Sequence, residues 1–326
     1  MKSLITLIIK TLFFSLIITL FISLNSCSSS TNEKKKIGII VPIEHQAMNE
    51  IVQAFTQTLS SQSPIPLTFK VANAQGDMNL QRAIISQMKN YDLVVPIGTA
   101  ATQMTLSMIR DKPIVSLASM YSDEDRKKQN PCHTVLVHDE IAPRQIIDFI
   151  HQVYPNINRI ALIHSTSDKI FPDIKDAIQR AKQYNINIKP MMVSNLSELY
   201  STANAIPQNT QAILILKDNL IVSGITTLAN TAEKRGIPLI ASDQGSVQNG
   251  AAFALGVYER DIGIEGAKLA SLVLSGKPIC SLANVQLKKL MVFINTAALT
   301  KEQQSLIPIQ SAAAKMQYQI ETMKGK

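Results

Sequence analysis

Tryptophan is absent from the 326-residue sequence, and the aromatic types together make up only 5% of it. Few rings are on hand to stack on an indole or a sugar face. Three cysteines are too few for a disulfide scaffold. With 12 glycines and 14 prolines, collagen-like and low-complexity chains are excluded too. Charged residues amount to 17% and the set AVILMFWYC to 46%, which excludes disorder and leaves enough apolar surface for about two ordinary domains. Signatures of catalysis are also missing. The histidines at 45, 133, 138, 151 and 164 show no H-E-x-x-H or other metal spacing. There is no G-x-S-x-G elbow, no P-loop, and no G-x-G-x-x-G after the first apolar run. No catalytic residue, metal or cofactor is assigned, and an enzyme is disfavoured.

The one long apolar run stands at the start. Lys2 and Lys10 precede Thr11–Leu24, a stretch without charge that falls short of the roughly 20 apolar residues a spanning helix needs. Residues 1–26 are expected to be an export signal, with an uncleaved anchor as the alternative. Leu24-Asn25-Ser26-Cys27 resembles a bacterial lipobox, although Asn25 is not the usual small residue there. Cys27 would then carry the lipid and residues 27–36 would form a tether; cleavage to a soluble periplasmic product is the alternative. The leader also accounts for the positive mean hydropathy of +0.10. A net charge of +8 raises the question of nucleic acid. Lysine and arginine are scattered, however, outside Lys34-Lys35-Lys36 and Arg126-Lys127-Lys128, as on a solvated surface. No nucleic-acid partner is expected. Cys132 and Cys280 could pair in an oxidising envelope, but their spacing gives no geometric warrant.

From Lys36 onward, short apolar runs alternate with helical patterns. Ile37–Val41, Leu67–Val71, Asp92–Ile97 and Pro113–Leu117 read as strands, separated by helices over Gln46–Leu59, Leu80–Met88 and Ala100–Ile109. The order returns about 120 residues later with Arg159–Ile163, Ile186–Val193, Gln211–Leu216 and Gly236–Ile240. Continuous apolar strands between helices predict an α/β fold, two similar Rossmann-like, flavodoxin-like parallel-sheet lobes, although one long sheet would give the same pattern. A further strand (Ala251–Val257), helix (Ile262–Leu274) and strand (Leu287–Ile294) follow. They suit a multi-strand hinge crossed near 134–139, 253–257 and 287–293. Lobe 1 is expected to span 37–138 plus 258–288, and lobe 2 to span 139–257 plus 289–326, with Gln303–Met323 as a final helix.

Ligands in open α/β sheets bind beyond the C-terminal strand ends, where helix starts favour anions. There the first half places Glu44 and His45, then Asn73, Gln75 and Asp77, then Gly98, Thr99 and Ala100, then Ser119. The second half places Ser165 and Thr166, Asp218 and Asn219, and Asp243. Gly98-Thr99-Ala100 is an anion cradle: no bulk, a hydroxyl and helix-start N–H groups. Glu44, Asp218 and Asp243 are carboxylates able to receive an ammonium. Together they suit an amino acid. Each hydroxyl or Asp also reads as an ordinary N-cap, and Asn73–Asp77 as a turn around Gly76. The ring candidates are Tyr121, Phe171, Phe253 and Tyr258.

The residues Ile37-Gly-Ile-Ile-Val-Pro-Ile-Glu-His45, Asn73-Ala-Gln-Gly-Asp77, Lys217-Asp-Asn219, Ser242-Asp243, Gly250–Gly256 and Ile294-Asn295 resemble the family of ABC-transporter substrate-binding proteins that includes the tryptophan and tyrosine binders. This resemblance implies a type I periplasmic-binding-protein-like clamp that closes by hinge motion and delivers its ligand to a membrane permease. Thr99-Ala-Ala-Thr102 and Ser119–Asp125 depart from the family pattern, which bears on ligand identity more than on fold. A ligand sensor without a transport role and a binder of sugar or nucleoside-type solutes are the alternatives.

Overall fold

The computed structural model describes residues 34–119, 132–139 and 141–324. The signal segment, Cys27, Tyr121 and the Arg126-Lys127-Lys128 run lie outside the described residues. The chain from Lys35 onward forms one compact unit.

Strands buried on both faces of a parallel sheet need unbroken apolar runs, and those runs are where the strands form. In chain order these are β1 (Lys35–Val41), α1 (Gln46–Gln62), β2 (Leu67–Asn73), α2 (Met78–Gln87), β3 (Leu93–Pro96), α3 (Thr99–Met108), β4 (Ile114–Leu117) and β5 (Thr134–His138). The second set comprises α4 (Pro143–Val153), β6 (Arg159–Ser165), α5 (Phe171–Lys182), β7 (Asn187–Val193), α6 (Leu196–Asn204), β8 (Ala212–Ile215), α7 (Asn219–Ser223), α8 (Ile225–Arg235), β9 (Leu239–Ala241), α9 (Gln244–Gln248) and β10 (Phe253–Gly256). Then come α10 (Glu259–Leu274), β11 (Val285–Gln286), β12 (Met291–Asn295), α11 (Thr296–Lys301), α12 (Leu306–Lys315) and β13 (Gln319–Met323).

The first sheet runs β11-β5-β4-β3-β1-β2 and the second β13-β12-β10-β9-β8-β6-β7. Every pairing is parallel except β10 with β12. The order around β1 and around β6 is the same flavodoxin-like one, so the expected α/β architecture of two parallel-sheet lobes is what the chain adopts. Successive residues feed opposite faces. Ile37 and Ile39 pack with Phe55 and Ile262 on one side of the first sheet, while Ile40 and Val94 pack with Ile85 and Leu106 on the other. The second sheet does likewise, with Leu162 and Phe253 on one face and Ile163 and Phe293 on the other.

After β10 the chain returns to the first lobe. Helix α10 packs against α1, β4 and β5. Two glycines bring that contact close. A Cβ at Gly263 would lie 2.4 Å from the Ile51 carbonyl oxygen, and one at Gly266 would lie 2.2 Å from a Leu117 methyl.

Two expectations are corrected. Leu287–Ile294 is not one strand. Pairing with β5 ends at Gln286 and pairing with β10 begins at Met291, and exposed Lys288 and Lys289 occupy the crossing between them. Nor is Gln303–Met323 one helix. Helix α12 stops before Met316, Gln317 turns with a φ of +59°, and Gln319–Met323 adds to the second sheet beside β12. There Tyr318 meets Phe149 edge-on at 5.9 Å, a contact that a continuing helix would lose.

The pairing of Cys132 with Cys280, left open by the sequence, is present. Their Cα atoms are 4.3 Å apart, just before β5 and β11, whose Val137 and Val285 are in register. Closing a loop across a separation of 148 residues stabilises the fold by about 5 kcal/mol in the chain-entropy account. Cys132→Ser should therefore lower the unfolding midpoint in urea. The wild type should fall to the same midpoint under reductant, with no further fall for the variant.

Candidate functional site

All parallel strands of a lobe end on the same side, so the loops that follow them collect at one edge. The two lobes bring these edges together. His45, after β1, has its Nε2 within 3.3 Å of the Asn219 side-chain oxygen, after β8. A Cβ at Gly98 would lie 3.4 Å from the Asn219 amide nitrogen. A Cβ at Gly245 in α9 would lie 2.7 Å from the backbone nitrogen of Ala47 in α1. The lobes thus meet closely, Gly98 against the Asn219 side chain and Gly245 against the backbone of α1.

On the first lobe, α1 begins at His45 and α3 at Gly98, and neither residue supplies a side-chain cap. Gly98 has a φ of +85°, donates its N–H to the Leu117 carbonyl at 2.8 Å, and is buried. Thr99 is half-buried and Ala100 exposed. Below them the hydroxyls of Thr102, Ser116 and Ser119 are linked at 2.6 and 2.8 Å, with the Thr102 hydroxyl donating to the Gly98 carbonyl. Ser119 is thus buried beneath the cradle, where its carbonyl also bonds His138 Nδ1 at 2.8 Å. Glu44 accepts from Asn49 and Asn73 at 3.3 and 3.4 Å, and is exposed. Asn73–Asp77 forms the turn: Asn73 accepts from the Gln75 N–H, Gly76 has a φ of +78°, and Asp77 caps α2 through Asn79 and Leu80. The hydrogen bonds of Glu44, Asn73 and Asp77 stay within the first lobe, and Gln75 is exposed.

On the second lobe, Asp218 accepts from the Ser165 N–H at 2.6 Å and from Leu220 and Ile221 at the start of α7. It therefore fastens α7 to the end of β6. The Ser165 hydroxyl accepts from the Ser167 N–H, and Thr166 is exposed. Asp243 accepts from both the N–H and the hydroxyl of Ser246, at 2.7 and 2.6 Å, and caps α9. Each of these aspartates is already engaged by its own helix start.

Three residues outside the expected set complete the site. Lys217 donates to the Asp139 carboxylate and to its carbonyl. Asp139, Asp243 and Glu259 are buried, at 4%, 4% and 2% exposure. Burial opposes the Lys217 ammonium. The charges of Asp139, Glu259 and Asp243, with the Asp139 hydrogen bond, outweigh it and hold Lys217 well above the ordinary lysine range. Burial pushes the Glu259 carboxyl up to about 8; Lys217 opposes this, and Asp243, Asp139 and Glu50 add to it. Burial also draws His45 below its ordinary value against the pull of Asp243 and the Asn219 bond, so the ring is neutral at pH 7. Glu259 Oε1, Ser242 Oγ and His45 Nδ1 are buried polar atoms without a hydrogen-bond partner in this structure. Among the described residues no group of His, Cys, Asp and Glu could hold a metal.

The ring candidates lie mostly in the cores. Phe253 is fully buried and meets Phe149 edge-on at 5.9 Å. Tyr258 packs on Phe293 at 5.3 Å with Arg260 over its face, and Phe171 is exposed beside His164. Asp139 and Glu259 went unselected in the sequence for one reason. Both sit on chain crossings, Asp139 directly after β5 and Glu259 in a first turn of α10 that begins three residues before the expected helix.

Two α/β lobes with facing strand-end loops and a chain that crosses between them define a periplasmic-binding-protein-like clamp. More narrowly, the chain belongs to the ABC transporter substrate binding protein family, whose model matches residues 36–315. That is a family of solute-binding proteins rather than enzymes, and substrate-binding proteins of ABC transporters are extracytoplasmic. An uncharacterized protein of Rickettsia prowazekii (strain Madrid E) is 38% identical over 304 residues, covering 91% of this chain and 95% of that one. A tyrosine-binding protein of Clostridioides difficile (strain R20291) is 26% identical over 293 residues, 84% of each. Among solved structures, an ABC domain from Streptococcus pneumonia in complex with L-Trp superimposes with a TM-score of 0.77 at 20% identity, covering 89% of this chain and all of that one. No helix among the described residues is long and apolar enough to cross a membrane.

Because Gly245 touches Ala47 without a side chain, Gly245→Val should wedge the lobes apart. The expected outcome is a larger radius of gyration in X-ray scattering, with ligand affinity reduced at least about tenfold.

Proposed function

We propose that this chain is the extracytoplasmic solute-binding lipoprotein of an ABC importer, closing on an amino acid and handing it to the permease. The observation that carries this reading is the polarity across the cleft. On the first-lobe side, α1 and α3 start without side-chain caps, which suits a carboxylate. Where the chain crosses between the lobes lies an excess of buried acid, Asp139, Asp243 and Glu259 beside Lys217, which suits an ammonium.

In this reading the ligand carboxylate meets Gly98, Thr99 and Ala100, with Ser165 and Thr166 approaching from the second lobe. His45 and Asn219 latch the two edges. Glu44, Asn73, Gln75 and Asp77 shape the first-lobe rim, Ser119 supports the cradle, and Asp218 and Asp243 set the second-lobe loops. The closed form adds Ser165, Thr166 and Asn219 of the second lobe to the groups that meet the ligand, so the ligand rewards closure. The relationship to a tyrosine-binding protein supports an amino acid, and an aromatic one in particular. Cys27 would hold the protein at the membrane through a lipid, with the segment up to the start of β1 as tether.

Two outcomes are expected. In a thermal-shift screen, L-tyrosine, L-tryptophan or another amino acid should raise the unfolding temperature, while nucleosides and sugars should leave it unchanged. A shift by sugars alone would overturn the amino-acid reading. Cys27→Ser should move the full-length protein from the membrane fraction to the soluble fraction. A wild type already soluble would overturn the anchor.

A further inference from the structure

Charge does not balance where the lobes meet. One ammonium, Lys217, faces the buried carboxyls of Asp139, Asp243 and Glu259. Lys217 is bonded to Asp139, and both oxygens of Asp243 accept from Ser246. Glu259 differs from both, since it is 2% exposed and its Oε1 has no partner in this structure. An unpaired buried carboxylate is costly, so such a group is either protonated or waiting for a cation.

Among the described residues the surroundings offer it no other cation. Helix α10 packs on α1, β4 and β5. From α1 the nearby charge is Glu50, another acid. Strand β4 carries no titratable side chain, and the His138 ring of β5 is bonded to the Ser119 carbonyl. From the second lobe and the crossing come Lys217, Asp243 and Asp139. His45, at the start of α1, is neutral. On α10 itself, Arg260 points to Asp261 and lies over Tyr258 on the exposed side. Ser242 Oγ and His45 Nδ1, buried and without partners, come from loops of the same two edges and add polar groups to the site.

We propose that Glu259 is the group that receives the ligand's ammonium, supplying the counter-charge that Asp218 and Asp243, engaged by their helix starts, do not. The inference rests on the amino-acid reading above. Its proton balance is simple. The empty protein carries Glu259 as the neutral acid at pH 7, the ligand arrives as the ammonium, and the carboxyl proton leaves to the buffer as the ion pair forms. The position of Glu259 in the first turn of α10 favours the resulting carboxylate. Binding should therefore be linked to pH with a definite sign. Affinity should rise by nearly tenfold per pH unit below about 8 and flatten above it until the ligand's own ammonium begins to lose its proton, because the ion pair needs the deprotonated carboxyl and the protonated amine.

The experiment is calorimetry on the full-length protein, titrated with each proteinogenic L-amino acid in buffers of different ionisation enthalpy. The tightest binder is then compared with its counterpart lacking the α-amine. The expected result is release of about one proton per ligand at pH 7. Glu259→Gln should abolish that release and weaken the amino acid at least about tenfold. It should bind the amine-free counterpart as well as the wild type does. Amino-acid binding with no proton release and with unchanged affinity in Glu259→Gln would overturn the assignment while leaving the amino-acid reading intact. Failure of the wild type to bind any amino acid would overturn both. Should Glu259→Gln fail to fold, the proton count and the pH profile of the wild type decide the matter by themselves.

Discussion

An ammonium taken out of water must be paired, since leaving it alone costs several kcal/mol even after relaxation. Lys217 meets this demand at the point where the second sheet faces the first chain crossing, through Asp139 directly after β5. The pair therefore ties the strand that ends at Ile215 to the segment on which the lobes turn. It also fixes the electrostatics of everything nearby. Once Lys217 is committed to Asp139, no basic group among the described residues remains for Glu259, and the described part of the region between the lobes is left with more acid than base. Much of what the cleft can bind follows from that one commitment.

Not every carboxyl near the strand ends lacks a partner. Asp77, Asp218 and Asp243 are each bonded to N–H groups in the first turn of a helix, where the peptide dipoles supply partial positive charge. Glu302 offers a different comparison. It is nearly fully buried and its carboxyl is likewise pushed up to about 8, chiefly by burial. One of its oxygens accepts the Leu239 N–H at the start of β9, the end of the strand away from the cleft. Glu302 thus serves the second-lobe core, far from any ligand, whereas Glu259 stands at the cleft end among charges from both lobes. Burial raises both groups; position separates their roles.

The sheets were legible in the sequence because parallel strands covered on both faces must be apolar throughout, and runs such as Ile37–Val41 and Arg159–Ile163 have few other uses. The duplication was legible for the same reason. The strand-end residues were legible as a set but not in their roles. An aspartate before a helix reads equally as cap or ligand, and only the Ser165, Leu220 and Ile221 N–H groups around Asp218 distinguish the two. The end of the chain was misread because Leu306–Ala313 has helical spacing, while the pairing of Gln319–Met323 with β12 is a tertiary contact with no local signal. Glu259 escaped because its burial depends on the chain recrossing to the first lobe. A charged residue beside Arg260 and Asp261 looks, in sequence, like an exposed helix start.

The contact between the lobes explains why so few side chains carry the recognition. Gly98 and Gly245 let backbone approach side-chain amide and backbone directly, at 3.4 and 2.7 Å from where a Cβ would stand. Bulk at Gly245 would hold the edges apart and admit water, whereas Gly98 is kept to glycine by its φ of +85°. With the edges close, the polar groups between them lose solvent, and each must find a partner within the molecule or in a ligand. His45 Nδ1, Ser242 Oγ and Glu259 Oε1 have none within it. In the amino-acid reading proposed above, a ligand entering the cleft supplies the missing donor or cation, so the residues that disfavour the empty closed form are the ones that would stabilise the occupied form.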